Sequence, residues 1–419
     1  MRRFFQSRPA LAWAFYDWAN SAFATTVMAG FFPQFFRAFW SQGADPTVTT
    51  LRLGFANAAA GLIVAVLAPV LGAIADQGGA RVRFLAAWTL IGVFATAGFF
   101  LVEQGQWVLA AALFVVGTMG FNGGVVFCDA LLLDVARPSE YDRVSALGYA
   151  LGYLGGGLLF AINVLMVSKP AWFGLSGVAD AVRWSFLSVA LWWLVFSLPL
   201  VLYVRERPPP VGATARSLAA GLAEIAATMR HARALRPLFA FLIAYWLYID
   251  AVNTIIKMAV DYGMALGLDS TKLLTALLLT QFVAFPAAIV FGRIGERIGA
   301  RNAILIGLAV YLGVTVWGFF LDSTADFFAM AVVVGLVQGG VQSLSRSLFG
   351  RFVPAGKSAE FFGLYNMVGK FGTVLGPPLM GVTAWATGSS RASILAVALL
   401  FIAGAWLLFR IREPQPSPG

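Results

Sequence analysis

Apolar runs of about 20 residues recur from one end of this chain to the other, separated mostly by short polar connectors. A helix rises about 1.5 Å per residue, so ~20 residues cross a bilayer core of ~30 Å. The runs fall at 10–38, 52–76, 84–103, 107–132, 144–167, 182–204, 238–260, 272–294, 302–321, 327–349, 361–386 and 392–410. This pattern predicts twelve membrane-spanning helices and an all-α fold, because a helix satisfies its own backbone donors and acceptors inside lipid.

Composition agrees with that reading. Of 419 residues, 60% are hydrophobic and 11% charged, against roughly 25% charged in a soluble domain. Too few polar groups remain to cover a water-facing surface. Counting helix ends, the connectors after odd-numbered spans hold 7 basic residues, Arg37, Arg52, Lys169, Arg183, Lys257, Lys272 and Arg391. The termini and the other connectors hold 21, and Lys370, inside the eleventh span, completes the 29. The positive-inside rule then predicts both termini in the cytoplasm. The net charge of +10 is thereby a matter of topology, and its scatter over several loops argues against a nucleic-acid partner.

One cysteine, Cys128, permits no internal disulfide and reads as a small buried packer; one histidine, His231, excludes a His-rich metal site. Met1 to Pro9 is basic and precedes an apolar stretch, but Asp17 interrupts that stretch, so the first run reads as an uncleaved helix.

The longest polar stretch begins Arg205-Glu206-Arg207-Pro208 and then carries Leu218, Leu222, Ile225 and Met229 at helical spacing. It predicts a linker, 205–236, with an interfacial amphipathic helix, between an N-terminal half, 1–204, and a C-terminal half, 237–419. The halves repeat each other. Gly72-Ala73-Ile74-Ala75-Asp76 through Arg81 aligns with Gly292-Arg293-Ile294-Gly295-Glu296 through Arg301, an offset of 220. Asn122-Gly123-Gly124-Val125 aligns with Gln338-Gly339-Gly340-Val341, and Pro138 with Pro354, both at 216. Asp17-Trp18-Ala19-Asn20-Ser21 aligns with Asp250-Ala251-Val252-Asn253-Thr254 at 233. Near-constant offsets imply two parallel six-helix bundles related by pseudo-symmetry, the major facilitator architecture.

The Gly-x-x-x-Asp/Glu-x-x-Gly-x-Arg connector resembles the loop signature of the major facilitator superfamily. Its glycines, Gly72 and Gly79, then Gly292 and Gly299, suit close helix approach and a tight turn. The resemblance implies that Asp76 pairs with Arg81, and Glu296 with Arg301, to gate the cycle. A short structural turn is the alternative. The Asp-x-x-Asn pairs place Asp17 with Asn20, and Asp250 with Asn253, on common helix faces. Carboxylates are costly against lipid, so both should face the protein interior. There they would bind a cationic group or carry a proton, or else form structural ion pairs with Lys370, Arg346 or Lys257. Lys257 can also pair with Asp261 four residues on. Arg346 and Asp129 suit gate charges and substrate ligands equally. Asn122, Gln338 and Gln342 suit polar groups of a cavity, with interhelical hydrogen bonds the equal alternative. Gly148, Gly152 and Gly156 recur every four residues, a packing pattern. Ala355-Gly356-Lys357-Ser358 imitates the end of a phosphate loop, but Gly350 is one position too far and no strand precedes it.

Four segments together resemble the vacuole-effluxer-like branch of the superfamily, which includes fungal autophagy-related amino-acid exporters. They are Trp13 to Phe23, Tyr245 to Ile255, Val144 to Gly156 and Gln338 to Ser347. Ala251 replaces a glycine common in that family, and Cys128 to Asp134 replaces a more usual Asn-Ala-x-Leu-Pro run. The resemblance covers about residues 10 to 405 and implies a carrier of small solutes, amino acids among them. The expectation is therefore a secondary transporter for a small polar molecule, proton-coupled and outward-directed, working as a monomer in a bacterial plasma membrane. It needs the lipid bilayer and no cofactor. An exporter of lipophilic compounds, encouraged by 13 Trp and 37 Phe, and a non-transporting sensor are the rivals. An enzyme is not expected, since no nucleophile, metal cluster or cofactor loop stands out.

Overall fold

In the computed structural model the described residues are 8–44, 46–206, 235–265, 267, 270–370 and 375–413. They are almost entirely helical. The first span runs as α1 (Arg8–Ala22), a π-helical stretch (Phe23–Phe31), α2 (Phe32–Phe35) and a second π-helical stretch (Phe36–Trp40). Then follow α3 (Pro46–Gly78), α4 (Arg81–Gly98), α5 (Trp107–Val135), α6 (Tyr141–Ser168) and α7 (Val178–Tyr203). The second half has α8 (Arg236–Ala265), α9 (Ser270–Ile298), α10 (Ala300–Phe319), α11 (Thr324–Phe352), α12 (Ser358–Lys370), α13 (Gly376–Thr387) and α14 (Ser390–Arg410). The expected amphipathic linker helix lies outside the described residues.

Among the described residues, ten helices are long and apolar enough to cross a membrane unaided. The expected first and eleventh spans are not among them: the first is broken by π-helical stretches and the eleventh by a bend at Leu375. In place of one continuous helix over 361–386, α13 begins at Gly376 after that bend; residues 371–374, which follow α12, lie outside the described residues. The cause is in the sequence: Pro377 and Pro378 have no N–H to donate back along a helix, so a helix begins at this point. Large apolar side chains stand on the outside, Phe94, Leu202 and Trp385 among them. Such a surface belongs in lipid; the chain is an integral, multi-pass membrane protein.

The chain divides into two compact units. Unit 1 comprises Met1–Val135, Leu151–Leu222 and Gly356–Gly363, and unit 2 comprises Ala136–Ala150, Ala223–Ala355 and Leu364–Gly419. Unit 1 thus holds α1 to α5, most of α6, α7 and the start of α12, and unit 2 holds the start of α6, α8 to α11, the rest of α12, α13 and α14. Aromatic packing dominates the interior of unit 1: Phe32 stacks on Phe114 at 4.2 Å, and Phe23, Phe99, Phe186, Trp40 and Trp193 close around them. In unit 2 Tyr365 stacks between Tyr245, at 4.3 Å, and Phe349, at 4.8 Å.

Candidate functional site

The turn from α3 to α4 is tight because Gly79 adopts φ +55° and the Ala80 N–H reaches back to the Ala75 carbonyl at 3.2 Å. The turn brings Asp76 against Arg81, Oδ1 accepting from Nε at 2.8 Å. The Arg81 Nη1 pairs in addition with Asp134 near the end of α5. The Asp76 carboxylate also accepts the backbone N–H groups of Ala359, at 3.0 Å, and Glu360, at 2.9 Å, in the first turn of α12. Those donors have no partner within their own helix, and a negative charge suits a helix N-terminus. Gly72, one turn earlier on α3, has no side chain at the spot where the Ala359 carbonyl approaches; a Cβ there would collide with it.

The repeated connector is built differently. Gly299 has φ +88°, and Gly292 leaves room for Ala146 of α6. The expected pair of Glu296 with Arg301 is absent: Glu296 lies 3.9 Å from Arg143 of α6. Arg301 instead donates from Nη1 to the Ile411 carbonyl at 2.9 Å, just past α14, where helix carbonyls collect negative potential. Beside it a second cluster forms that the motif did not announce. Asp142 of α6, almost fully buried, accepts from Arg351 of α11 at 2.8 Å and from the Ser347 hydroxyl. Arg351 also pairs with Glu413.

The two intramembrane aspartates have the same neighbours and different uses. On α1, Asp17 is half-buried, and Gly152 of α6 faces it and Ser21; a Cβ on Gly152 would lie 2.7 Å from Ser21 Oγ and 3.5 Å from the Asp17 Cβ. On α8, Asp250 and Thr254 face Gly376 in the same manner, with a Gly376 Cβ 2.8 Å from the Asp250 Oδ1. Asp250, however, is fully buried and accepts the N–H of Leu375 at 2.9 Å, the N–H of Gly376 at 2.8 Å and the Thr254 hydroxyl at 3.3 Å. Residues 377 and 378 are prolines, so these are the only backbone donors over 375–378, and Asp250 takes both. The side chain is an N-cap for α13 supplied from another helix.

The remaining expected residues are dispersed. Arg346, buried on α11, donates from Nε to the Ser145 hydroxyl and from Nη2 to the Ser145 carbonyl, both at 2.9 Å, and lies over the Tyr149 ring at 4.4 Å. It ties α11 to the start of α6. Asn20 and Asn122 are both buried in unit 1; Asn20 Nδ2 and Asn122 Oδ1 have no hydrogen-bond partner among the described residues. Gln338 lines a cavity in unit 2. Asn253 and Gln342 are half-buried. The side chains of Lys257, Asp261 and Lys370 lie outside the described residues. Of the expected stripe, Gly152 and Gly156 admit Asp17 and Ser21 of α1 at close range, and Gly155, outside the four-residue spacing, admits Trp18.

Glu206 and Glu413 escaped the sequence reading although a signal exists. Glu206 follows α7 and accepts the N–H groups of Arg81 and Val82 at 2.8 Å each, at the start of α4. Glu413 follows α14 and accepts those of Ala300, at 3.4 Å, and Arg301, at 3.3 Å, at the start of α10. Both sit in an Arg-Glu dipeptide followed within two residues by proline, Arg205-Glu206-Arg207-Pro208 and Arg412-Glu413-Pro414, a fourth repeat between the halves.

Comparison with known proteins gives concordant results. A family model described as vacuole effluxer Atg22 like matches residues 53–415. A Bacillus subtilis protein described as the uncharacterized MFS-type transporter YxiO is 36% identical over 416 residues, 99% of this chain and 96% of its own length. The autophagy-related protein 22-2 of Neosartorya fischeri is 27% identical over 307 residues, 65% of this chain and 50% of the fungal protein. The chain thus matches about half the length of that fungal relative. Among solved structures, the E. coli fucose:proton symporter FucP superposes with a TM-score of 0.71 at 14% identity, covering 98% of this chain and 100% of FucP. The proton:xylose symporter XylE gives 0.69 at 14% identity, covering 97% and 95%. At such identities the two symporters speak for the fold alone.

Proposed function

This chain belongs to the vacuole effluxer Atg22-like family of major facilitator transporters, and we propose that it moves a small polar solute across the membrane by alternating access. Its relatives and its fold are those of transporters, not enzymes. The solute class we favour is amino acids, with outward transport coupled to protons and both termini in the cytoplasm of a bacterial cell.

The observation that carries this reading is the half-buried placement of Asp17, in contrast to its fully buried repeat partner Asp250. A carboxylate inside a membrane span is expensive and is kept where it has work to do. Asp250 has structural work, capping α13. Asp17 stands half-exposed within α1, where a solute ammonium or a proton can reach it. Asn20, one turn on, adds a buried amide with a free donor. Arg346 belongs with the gate in this reading, because its guanidinium is committed to Ser145 and Tyr149. The connector contacts of Asp76, Arg81, Asp134, Asp142 and Arg351 are the ones that part and re-form during the cycle.

Counterflow in proteoliposomes with pooled labelled amino acids tests the proposal. Wild type should exchange label and respond to an imposed pH gradient, and Asp17→Asn should lose at least tenfold of that rate. Counterflow that survives Asp17→Asn unchanged would remove Asp17 from the site, and a folded wild type with no counterflow would remove amino acids from the substrate class.

A further inference from the structure

Unit 2 holds a partly open cavity of ≈80 Å³ among α8, α9, α11 and their neighbours. Its walls are mainly apolar, with Ile256, Met258, Met330 and Met380 prominent. Two wall hydroxyls are turned away: Thr280 donates to the carbonyls of Ala276, at 3.0 Å, and Ala331, at 3.2 Å, and Tyr262 donates to that of Gly318 at 2.8 Å. Gln338 is different. It is 6% exposed, lines the cavity and makes no hydrogen bond among the described residues. A buried amide that meets no protein partner is costly unless something else meets it.

The repeat explains why the space exists. Phe114 of unit 1 corresponds to Met330 at the same 216-residue spacing that relates Asn122 to Gln338, and Phe23 corresponds to Ile256 at the 233-residue spacing that relates Asp17 to Asp250. Both phenylalanines are buried in the aromatic core of unit 1, where Phe23 lies 5.6 Å from Phe121 and 5.4 Å from Trp193. Unit 2 has smaller or more pliable side chains at those positions, and a hollow remains. Thioethers adapt their shape to irregular contents.

We propose that this cavity is a binding site for a small neutral amphiphile, whose short branched or cyclic apolar group fills the methionine-lined space and whose alcohol, carbonyl or amide meets Gln338. The volume is roughly half the ~150 Å³ of a cavity that admits benzene, which fits an apolar group of about three to five non-hydrogen atoms. None of the described lining side chains is ionised, and an apolar wall disfavours a charged ligand. The site lies within unit 2, so it does not depend on Asp17 or on proton coupling.

Photolabelling of the purified full chain with 3-azibutanol, a four-carbon diazirine alcohol, followed by peptide mapping, tests it. Adducts should concentrate in α8 and in residues 327–338, and unlabelled 2-methylpropan-1-ol should suppress them. Met330→Phe, which copies the filling of unit 1, should cut this labelling at least tenfold. Gln338→Leu, of similar size, should cut it five- to tenfold, the worth of one neutral hydrogen bond. Thermal melts confirm that each variant is folded, and Ile256→Phe replaces Met330→Phe if that variant is not. Labelling spread over the lipid-facing helices and indifferent to the filling substitution would overturn the proposal. Labelling at the cavity that ignores Gln338→Leu would overturn the assignment of a polar head group.

Discussion

Asp17 and Asp250 occupy one position of a repeated design, each with a hydroxyl four residues on and a glycine facing it from a neighbouring helix. What separates them is the backbone behind that glycine. Gly152 lies in the middle of α6, whose N–H groups are spent inside the helix. Gly376 begins α13, where Gly-Pro-Pro opens a new helix and two N–H groups need an acceptor. The same carboxylate is therefore a structural cap in unit 2 and a half-buried group within a span in unit 1. Pseudo-symmetry conserves placement, and the local backbone decides use.

The comparison is broken most severely by removing the caps. Asp250→Ala leaves two buried donors without an acceptor, at about 1–3 kcal/mol for each orphaned group. The expected loss is on the order of 3 kcal/mol, read as a large drop in the thermal unfolding midpoint of the purified protein. Asp17→Ala should cost about 1 kcal/mol in the same assay, as a partly exposed side chain. Equal drops for the two variants would show that Asp17 also holds the fold together, and the functional contrast would fail.

The facing glycines give a finer test. A methyl group at Gly376 runs into the Thr254 hydroxyl and lies 2.8 Å from the Asp250 carboxylate, and neither can retreat while the cap is made. Overpacking of that kind costs about 1–3 kcal/mol. At Gly152 the nearest atom is the Ser21 hydroxyl at 2.7 Å, the end of a side chain that can rotate, with the Asp17 carbonyl next at 3.3 Å. Gly376→Ala should therefore lower the midpoint about twice as far as Gly152→Ala. The reverse order would place the tighter helix contact in unit 1.

Much of this was legible in the chain. The helices and the pairing of Asp76 with Arg81 follow from apolar period and from a motif whose parts are close in sequence. The π-helical stretches of the first span and the division of the eleventh had weaker signals, because an apolar run looks alike whether or not its backbone bonds slip by one residue. Pro377 and Pro378 were visible, yet a proline pair inside an apolar run does not say which distant carboxylate will cap the new helix. The connector of the second half misled for a related reason: Glu296 and Arg301 match the motif, but Arg143 and the Ile411 carbonyl, remote in sequence, compete for them. Asp142 with Arg351 was hidden because its partners lie 209 residues apart.

The smallest effect expected separates the two glutamates that close the bundles. Glu206 holds two backbone N–H groups at 2.8 Å, the geometry of a helix cap. Glu413 holds its two at 3.3 and 3.4 Å and spends its charge on Arg351. A cap is a matter of hydrogen bonds and responds weakly to salt, whereas a partly exposed ion pair is screened. Replacing either with alanine should cost about 1 kcal/mol at low ionic strength. Raising the salt to about 1 M shortens the screening length to ~3 Å, so the penalty should largely vanish for Glu413→Ala and persist for Glu206→Ala. If both penalties fade together, Glu206 acts through the charge of Arg81, and the two ends of the molecule are more alike than their distances suggest.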